Sequence, residues 1–193
     1  LSSLWSGDPR ARAGGTRIAL IGCFVIPHPP IVVPEVGGAE LSKAKATVQA
    51  MQAVREKTVA YDPDTIVLLS PHAQMSARKM GVSLASSYEG TLAYFGAPEV
   101  VVEADGDEPL ARDILARTTD EDIPVAEIAS PGETVDLDHG SMVPLVYLLG
   151  GLAQPCRLVL LSFSLLELQE HARFGAIIGE VLHDAQERGL YVA

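Results

Sequence analysis

Cysteine is scarce in this chain, and long apolar runs are missing. Cys23 and Cys156 are the two cysteines among 193 residues, so a disulfide framework is excluded. No apolar stretch approaches the roughly 18–20 residues that a membrane-spanning helix needs. The start of the chain also lacks the basic and then apolar order of a signal peptide. We therefore expect a cytoplasmic protein with no membrane partner.

Basic residues are few as well. The chain has 14 Lys and Arg residues against 25 Asp and Glu residues, a formal net charge of −11. Phosphate backbones are bound by clustered Lys and Arg, so this composition excludes a nucleic acid partner. Gly37 and Gly38 lack the spacing of a dinucleotide fingerprint. Because no Gly-x-Ser-x-Gly elbow occurs, Ser70, Ser162 and Ser164 are predicted to be ordinary strand-end residues.

Apolar runs and amphipathic segments alternate along the chain. Residues 17–26, 65–70 and 157–163 are apolar runs typical of strands buried on both faces. Helices are predicted at residues 40–60, 107–118, 141–152 and 166–188, and further strands at 80–86, 99–104, 123–128 and 190–193. A loop is expected between the strands at 80–86 and 99–104. This alternation predicts an α/β fold, a three-layer α/β/α sandwich with a mostly parallel sheet.

The length and the hydrophobic fraction of 48% suit one domain with a sizeable core. Residues 1–16 are rich in Ser, Gly and Arg without any period, so we expect a flexible N-terminal arm before an α/β domain at 17–193. Residues 189–193 have the pattern of an opening buried strand, and we expect more protein to follow them. Exposed strand edges there would favour a homo-oligomer.

Two histidines directly follow predicted apolar strands. His28 lies between Pro27 and Pro29, and His72 follows Ser70 and Pro71. Ligands of open α/β sheets bind beyond the carboxyl ends of the strands, so the two rings are expected to meet there. Imidazole is the commonest protein ligand of Zn, Fe and Cu. The sequence therefore predicts His28 and His72 as metal ligands at one edge of the sheet.

His139 lies at the start of a predicted helix, between Asp138 and Gly140. In one interpretation the segment only caps the helix, with Asp136 or Asp138 accepting backbone N–H groups. In the other, His139 is a catalytic proton-transfer group, and Gly140 lets substrate approach the backbone.

His171 and His183 lie on the last predicted helix, about 120° apart, so they do not face together. Both are predicted to be surface or helix-packing residues.

Five segments carry a family resemblance: Phe24-Val-Ile-Pro-His-Pro-Pro-Ile31, Pro34-Glu-Val-Gly37, Asp64-Thr-Ile-Val-Leu-Leu-Ser-Pro-His72, Phe95-Gly-Ala-Pro98 and Leu137-Asp-His-Gly-Ser-Met-Val-Pro-Leu145. Together they resemble the class III extradiol ring-cleaving dioxygenase family, to which the B subunit of protocatechuate 4,5-dioxygenase and the related Memo proteins belong. The resemblance runs from about residue 18 to the end of the chain.

The resemblance implies a non-haem Fe(II) site and a small aromatic diol and O₂ as substrates. His28 and His72 match the two histidine ligands of the family, and His139 matches a histidine that contacts substrate or oxygen. The family's glutamate ligand and its main acid/base histidine come from a later part of the fold, which has no counterpart before Ala193. We therefore expect the C-terminal part of the family fold to be lacking here.

Two alternatives stay open at this point. The first is a non-catalytic, Memo-like protein whose pocket binds a metal or a partner without ring cleavage. The second is a Zn-dependent hydrolase, in which a carboxylate such as Glu35 or Asp138 completes the ligand set.

Overall fold

A computed structural model of the chain describes residues 20–184 and 189–192. The predicted arm at 1–16 lies outside these residues, so the arm and its boundary stay predictions. The strands are β1 (Leu20–Phe24), β2 (Thr65–Ser70), β3 (Met80–Ser83), β4 (Ser87–Leu92), β5 (Ala97–Asp105), β6 (Val125–Ala129), β7 (Thr134–Asp136), β8 (Arg157–Ser162) and β9 (Gly189–Val192). The α-helices are α1 (Pro34–Gly37), α2 (Lys45–Tyr61), α3 (Glu108–Asp120), α4 (His139–Leu149) and α5 (Leu168–Asp184).

Six strands form the main sheet, in the order β1-β9-β2-β8-β3-β6. All neighbours run parallel except β8 and β3, which are antiparallel. β1, β9, β2 and β8 therefore end at the same edge of the sheet. Strands β5, β4 and β7 form a separate three-stranded sheet.

The central strand β2 is buried along its whole length. Its side chains alternate between two cores, because successive residues of a strand point to opposite faces of the sheet. Ile66 and Leu68 belong to one core, and Val67 and Leu69 belong to the other. β8 pairs with β2 in register and divides its apolar residues in the same way. This double burial explains why both strands are continuous apolar runs.

Helices cover both faces of the main sheet. Met51 of α2, Leu145 of α4 and Tyr88 of the small sheet pack into the first core. Ile114 of α3 and Phe174 of α5 pack into the second. The predicted three-layer α/β/α sandwich with a mostly parallel sheet is therefore confirmed, and one helical layer also contains the small sheet.

Several predicted elements need correction. The loop expected between 80–86 and 99–104 contains β4, which pairs with β5 in an antiparallel hairpin, and β7 was not predicted. The helix expected at 40–60 begins as a 3₁₀ turn over Gly38–Ala44 and becomes α-helical at Lys45. β4 was missed because Gly90 interrupts its apolar alternation.

The C-terminal strand is not an edge strand. β9 lies between β1 and β2 and pairs in parallel with both. The sequence-based reason for self-association was an exposed edge at this strand, and that reason is wrong. A homo-oligomer stays a prediction.

Asp107 contacts residues of β2, α3 and β8, so its replacement tests how these three elements are held together. Its buried carboxylate accepts hydrogen bonds from Thr65 Oγ1 (2.6 Å) and from the backbone N–H of Leu110 (3.2 Å), and lies 3.5 Å from Nη2 of Arg157. We expect Asp107→Ala to lower the free energy of unfolding by about 2–4 kcal/mol, since a helix cap and a buried charge-assisted bond are lost. Chemical denaturation measures the change. The control Asp113→Ala, at an exposed position of the same helix, should change it by less than about 0.5 kcal/mol.

Candidate functional site

The proline-rich segment after β1 holds His28. Pro29 and Pro30 accept backbone hydrogen bonds from Val32 (3.1 Å) and Val33 (3.0 Å), which close a 3₁₀ turn. The hydroxyl of Tyr147, on α4, donates to the carbonyl of Val32 at 2.6 Å. These bonds attach the loop to the helical layer, so the half-buried His28 is held beside the sheet edge.

His72 leaves the same edge two residues after β2. Its backbone N–H donates to Oγ of Ser70 at 3.2 Å, which fixes the turn out of the strand. Its ring packs directly on Gly140, where a Cβ would lie 2.5 Å from Cδ2 of His72. Gly140 is therefore needed by the imidazole of His72, and its predicted role of admitting substrate to the backbone has no support here.

The two rings meet as their strand positions predicted. Nε2 of His28 lies 3.2 Å from Nε2 of His72, and the ring centroids are 4.9 Å apart with an angle of 74° between the planes. Two imidazole nitrogens that bind one ion at about 2.1 Å lie roughly 3–3.5 Å apart. The pair therefore has the spacing of two ligands of a single metal ion.

His139 completes a cluster of three rings. It is the first residue of α4, and its ring centroid lies 4.4 Å from that of His72 and 6.2 Å from that of His28. Asp138 caps the helix: its Oδ1 accepts from the backbone N–H groups of Gly140 (2.6 Å) and Ser141 (3.2 Å). The capping interpretation of Asp138 is therefore confirmed, and the cap places His139 beside the rings of His28 and His72.

A second group of potential ligand atoms overlaps the first. Atoms of His72, Asp138 and His139 all lie within 4.8 Å of one another. Glu35, the other carboxylate considered from the sequence, is not part of this group and lies exposed on α1. Among the carboxylates of the described residues, Asp138 is thus the one that the geometry brings to the cluster.

The electrostatics of the cluster favour a neutral His28. Burial lowers the pKa of its imidazole below the ordinary value, and the electrostatic influence of the neighbouring His72 and His139 lowers it further, while the Asp138 carboxylate opposes this effect. A neutral imidazole keeps a free lone pair, which is the form that binds a metal.

Phe95 also belongs to the site, although sequence reasoning gave it no role. Its ring centroid lies 5.3 Å from that of His139, with 63° between the planes. It ends the 3₁₀ turn Ala93–Phe95 between β4 and β5. The sequence signal for Phe95 was its place in the Phe-Gly-Ala-Pro segment. Its position beside His139 could not be derived, because the hairpin of β4 and β5 was not predicted.

The remaining histidines, His171 and His183, lie apart from the cluster. Nε2 of His171 lies 3.3 Å from Oγ of Ser164, its Nδ1 lies 3.1 Å from the carbonyl of Glu167, and its ring lies beside Phe163. His183 is exposed on α5. Their prediction as packing and surface residues is confirmed.

The described helices all fall short of the length and apolar character that a membrane crossing requires.

Two relatives can be compared with this chain. The protein CA_C1420 of Clostridium acetobutylicum is 29% identical over 181 residues, which are 91% of this chain and 38% of that protein. The chain thus spans little more than a third of that relative's length. The crystal structure of the uncharacterized protein JW3007 from Escherichia coli K12 superimposes with a TM-score of 0.52 at 21% identity, covering 74% of this chain and 51% of that one. This likeness shows a shared fold.

A family profile gives the assignment. Residues 22–192 match the family described as the catalytic LigB subunit of aromatic ring-opening dioxygenase, which confirms the resemblance seen in the histidine segments. Because residues 22–192, from β1 to β9, match this family, the chain belongs to the LigB family.

Proposed function

We propose that this chain provides the iron-binding half of an extradiol-type dioxygenase site, which opens the ring of a small aromatic diol with O₂. The observation that carries the proposal is the 3.2 Å separation between Nε2 of His28 and Nε2 of His72. Family membership supports the reaction class, and the third ring of His139 supports a site built for acid–base chemistry as well as binding.

The two imidazoles match part of an Fe(II) donor set. Two histidines and one carboxylate on a single face are the typical ligands of non-haem iron oxygenases, and they leave positions open for substrate and oxygen. The described residues supply the two imidazoles, with their Nε2 atoms 3.2 Å apart. The carboxyl end of β9 lies at the same edge, between the strands that lead to His28 and His72.

Each protein group has a role in this proposal. Bound Fe(II) would supply Lewis acidity and a path for electrons from the diol, which is oxidised, to O₂, which is reduced. His28 and His72 orient that ion, and Gly140 leaves room for the ring of His72. An imidazole nitrogen of His139 accepts the proton of a substrate hydroxyl, because its ring lies beside that of His72, at a centroid distance of 4.4 Å. The chain does not need Asp138 as a ligand, since this carboxylate caps α4.

Removal of either ligand imidazole tests the metal site. We expect His28→Ala and His72→Ala each to weaken Fe(II) binding about 100-fold or more, since loss of a ligand exceeds the 10- to 100-fold effect of losing a supporting residue. Anaerobic titration of the full-length protein with Fe(II) measures this change. The control His183→Ala, an exposed histidine on α5, should bind iron like the wild type. Equal Fe(II) affinity in the wild type and in all three variants would refute the proposed metal site.

Gly140→Ala tests the packing that positions His72. A methyl group at this position would lie 2.5 Å from Cδ2 and 2.9 Å from Cγ of His72, so the ring must shift from the position in which it meets His28. We expect Fe(II) affinity to fall about 10- to 100-fold, as for loss of a supporting group. The control is Gly175→Ala on α5, where a Cβ meets nothing within 4 Å and a slight gain in stability is expected. An unchanged iron affinity in Gly140→Ala would contradict the arrangement.

His139→Gln separates catalysis from metal binding. We expect this variant to keep wild-type Fe(II) affinity and to lose about 100-fold or more of catechol-dependent O₂ uptake, the usual size of a general-base contribution. An oxygen electrode measures uptake by the iron-loaded full-length protein. If the wild type binds iron but takes up no O₂ with any of a panel of catechols, the non-catalytic Memo-like alternative is favoured instead.

A further inference from the structure

The turn between β4 and β5 brings Phe95 to the histidine cluster and places Tyr94 against Phe95. It is a single 3₁₀ turn, Ala93–Phe95, closed by the N–H of Gly96 donating to the carbonyl of Ala93 at 3.0 Å. Gly96 has a φ of +84°, a conformation that suits glycine and lets the chain reverse tightly into β5. The turn is therefore short and defined by its own backbone.

β4 supports both this turn and His139. On one side, β4 pairs with β7, and the N–H of Leu137 donates to the carbonyl of Glu89 at 2.7 Å just before the cap of α4. At its end, β4 leads straight into Ala93–Phe95. Since one strand carries both, the turn and the first residue of α4 are held at a constant separation.

The two rings of the turn differ in burial. Phe95 is half-buried, packs against the core that includes α4, and contacts the ring of His139. Tyr94 is 93% exposed, and its ring centroid lies 5.2 Å from that of Phe95 at an angle of 83°. Tyr94 therefore offers an open aromatic face next to Phe95, which itself contacts His139.

We propose that Phe95 and Tyr94 form the wall on which the aromatic ring of the substrate packs while its two hydroxyls face His28 and His72. This inference rests on the proposed function and assigns the recognition of the ring to named residues. Aromatic rings prefer edge-to-face or offset contacts at centroid distances of about 4.5–7 Å, which Phe95 already makes with His139 and Tyr94. The wall selects a flat aromatic diol over other two-oxygen chelators of the metal.

The experiment compares two ligands of the iron-loaded full-length protein under anaerobic conditions. Catechol and acetohydroxamate both chelate a metal through two oxygens, but only catechol has an aromatic ring. We expect Phe95→Leu to weaken catechol binding about 3- to 10-fold in calorimetric titration, the size of a lost aromatic contact, and to leave acetohydroxamate and Fe(II) affinities unchanged.

Two further variants complete the design. Tyr94→Ser alters a side chain that is almost fully exposed, so folding is preserved, and it should weaken catechol binding about 2- to 3-fold. Phe163→Leu is the matched control: this phenylalanine is also half-buried beside a histidine, but that histidine is His171, at a centroid distance of 6.0 Å. It should bind both ligands as the wild type does.

The outcomes separate the two proposals. If Phe95→Leu and Tyr94→Ser both bind catechol with wild-type affinity, the proposed wall is wrong. It is also wrong if these variants lose acetohydroxamate binding to the same extent as catechol binding. Selective loss of catechol binding in a protein that takes up no O₂ supports the wall and counts against the dioxygenase. A wild type that binds iron but no catechol overturns both.

Discussion

The contact between the imidazoles of His28 and His72 is the interaction on which the site depends. Neither ring reaches the other through local structure, because 44 residues separate them in the chain. They meet because β1, β9 and β2 are parallel neighbours whose carboxyl ends share one edge. The proline-rich turn anchored by Tyr147 directs one ring, and Gly140 makes room for the other. The sheet thus sets the approach of the two rings, and local packing sets their final distance.

Much of this arrangement was accessible from the sequence. The apolar runs that became β2 and β8 are continuous because both faces of these strands are buried, and that pattern alone predicted a mostly parallel, helix-covered sheet. His72 was found because it follows such a run. His28 was found because it follows the apolar run at 17–26, although the strand there, β1, is an edge strand and is not buried on both faces. The order of the strands was not accessible, because nothing in the residues of β9 indicates that it pairs between β1 and β2.

The β4–β5 hairpin and its aromatic turn could not be predicted from the sequence. β4 contains Gly90, which weakens the strand pattern, yet a Cβ there would lie 2.6 Å from Sδ of Met142 and 2.9 Å from Cβ of Leu137. The glycine is needed because β4 packs closely on the segment that leads into α4. This requirement comes from tertiary packing and has no local signal, so Phe95 could not be placed beside His139 in advance.

The cap of α4 helps to decide which of the two overlapping groups holds a metal. Oδ1 of Asp138 already accepts two backbone N–H groups, a use that completes the start of the helix and competes with metal coordination. Atoms of the group containing Asp138 and His139 lie within 4.8 Å of one another, and the nitrogens of His28 and His72 are 3.2 Å apart. Two nitrogens bound to one ion at about 2.1 Å lie roughly 3–3.5 Å apart, which is the spacing of the imidazole pair. The proposal therefore assigns the metal to the two imidazoles and proton transfer to His139, while Asp138 serves the helix.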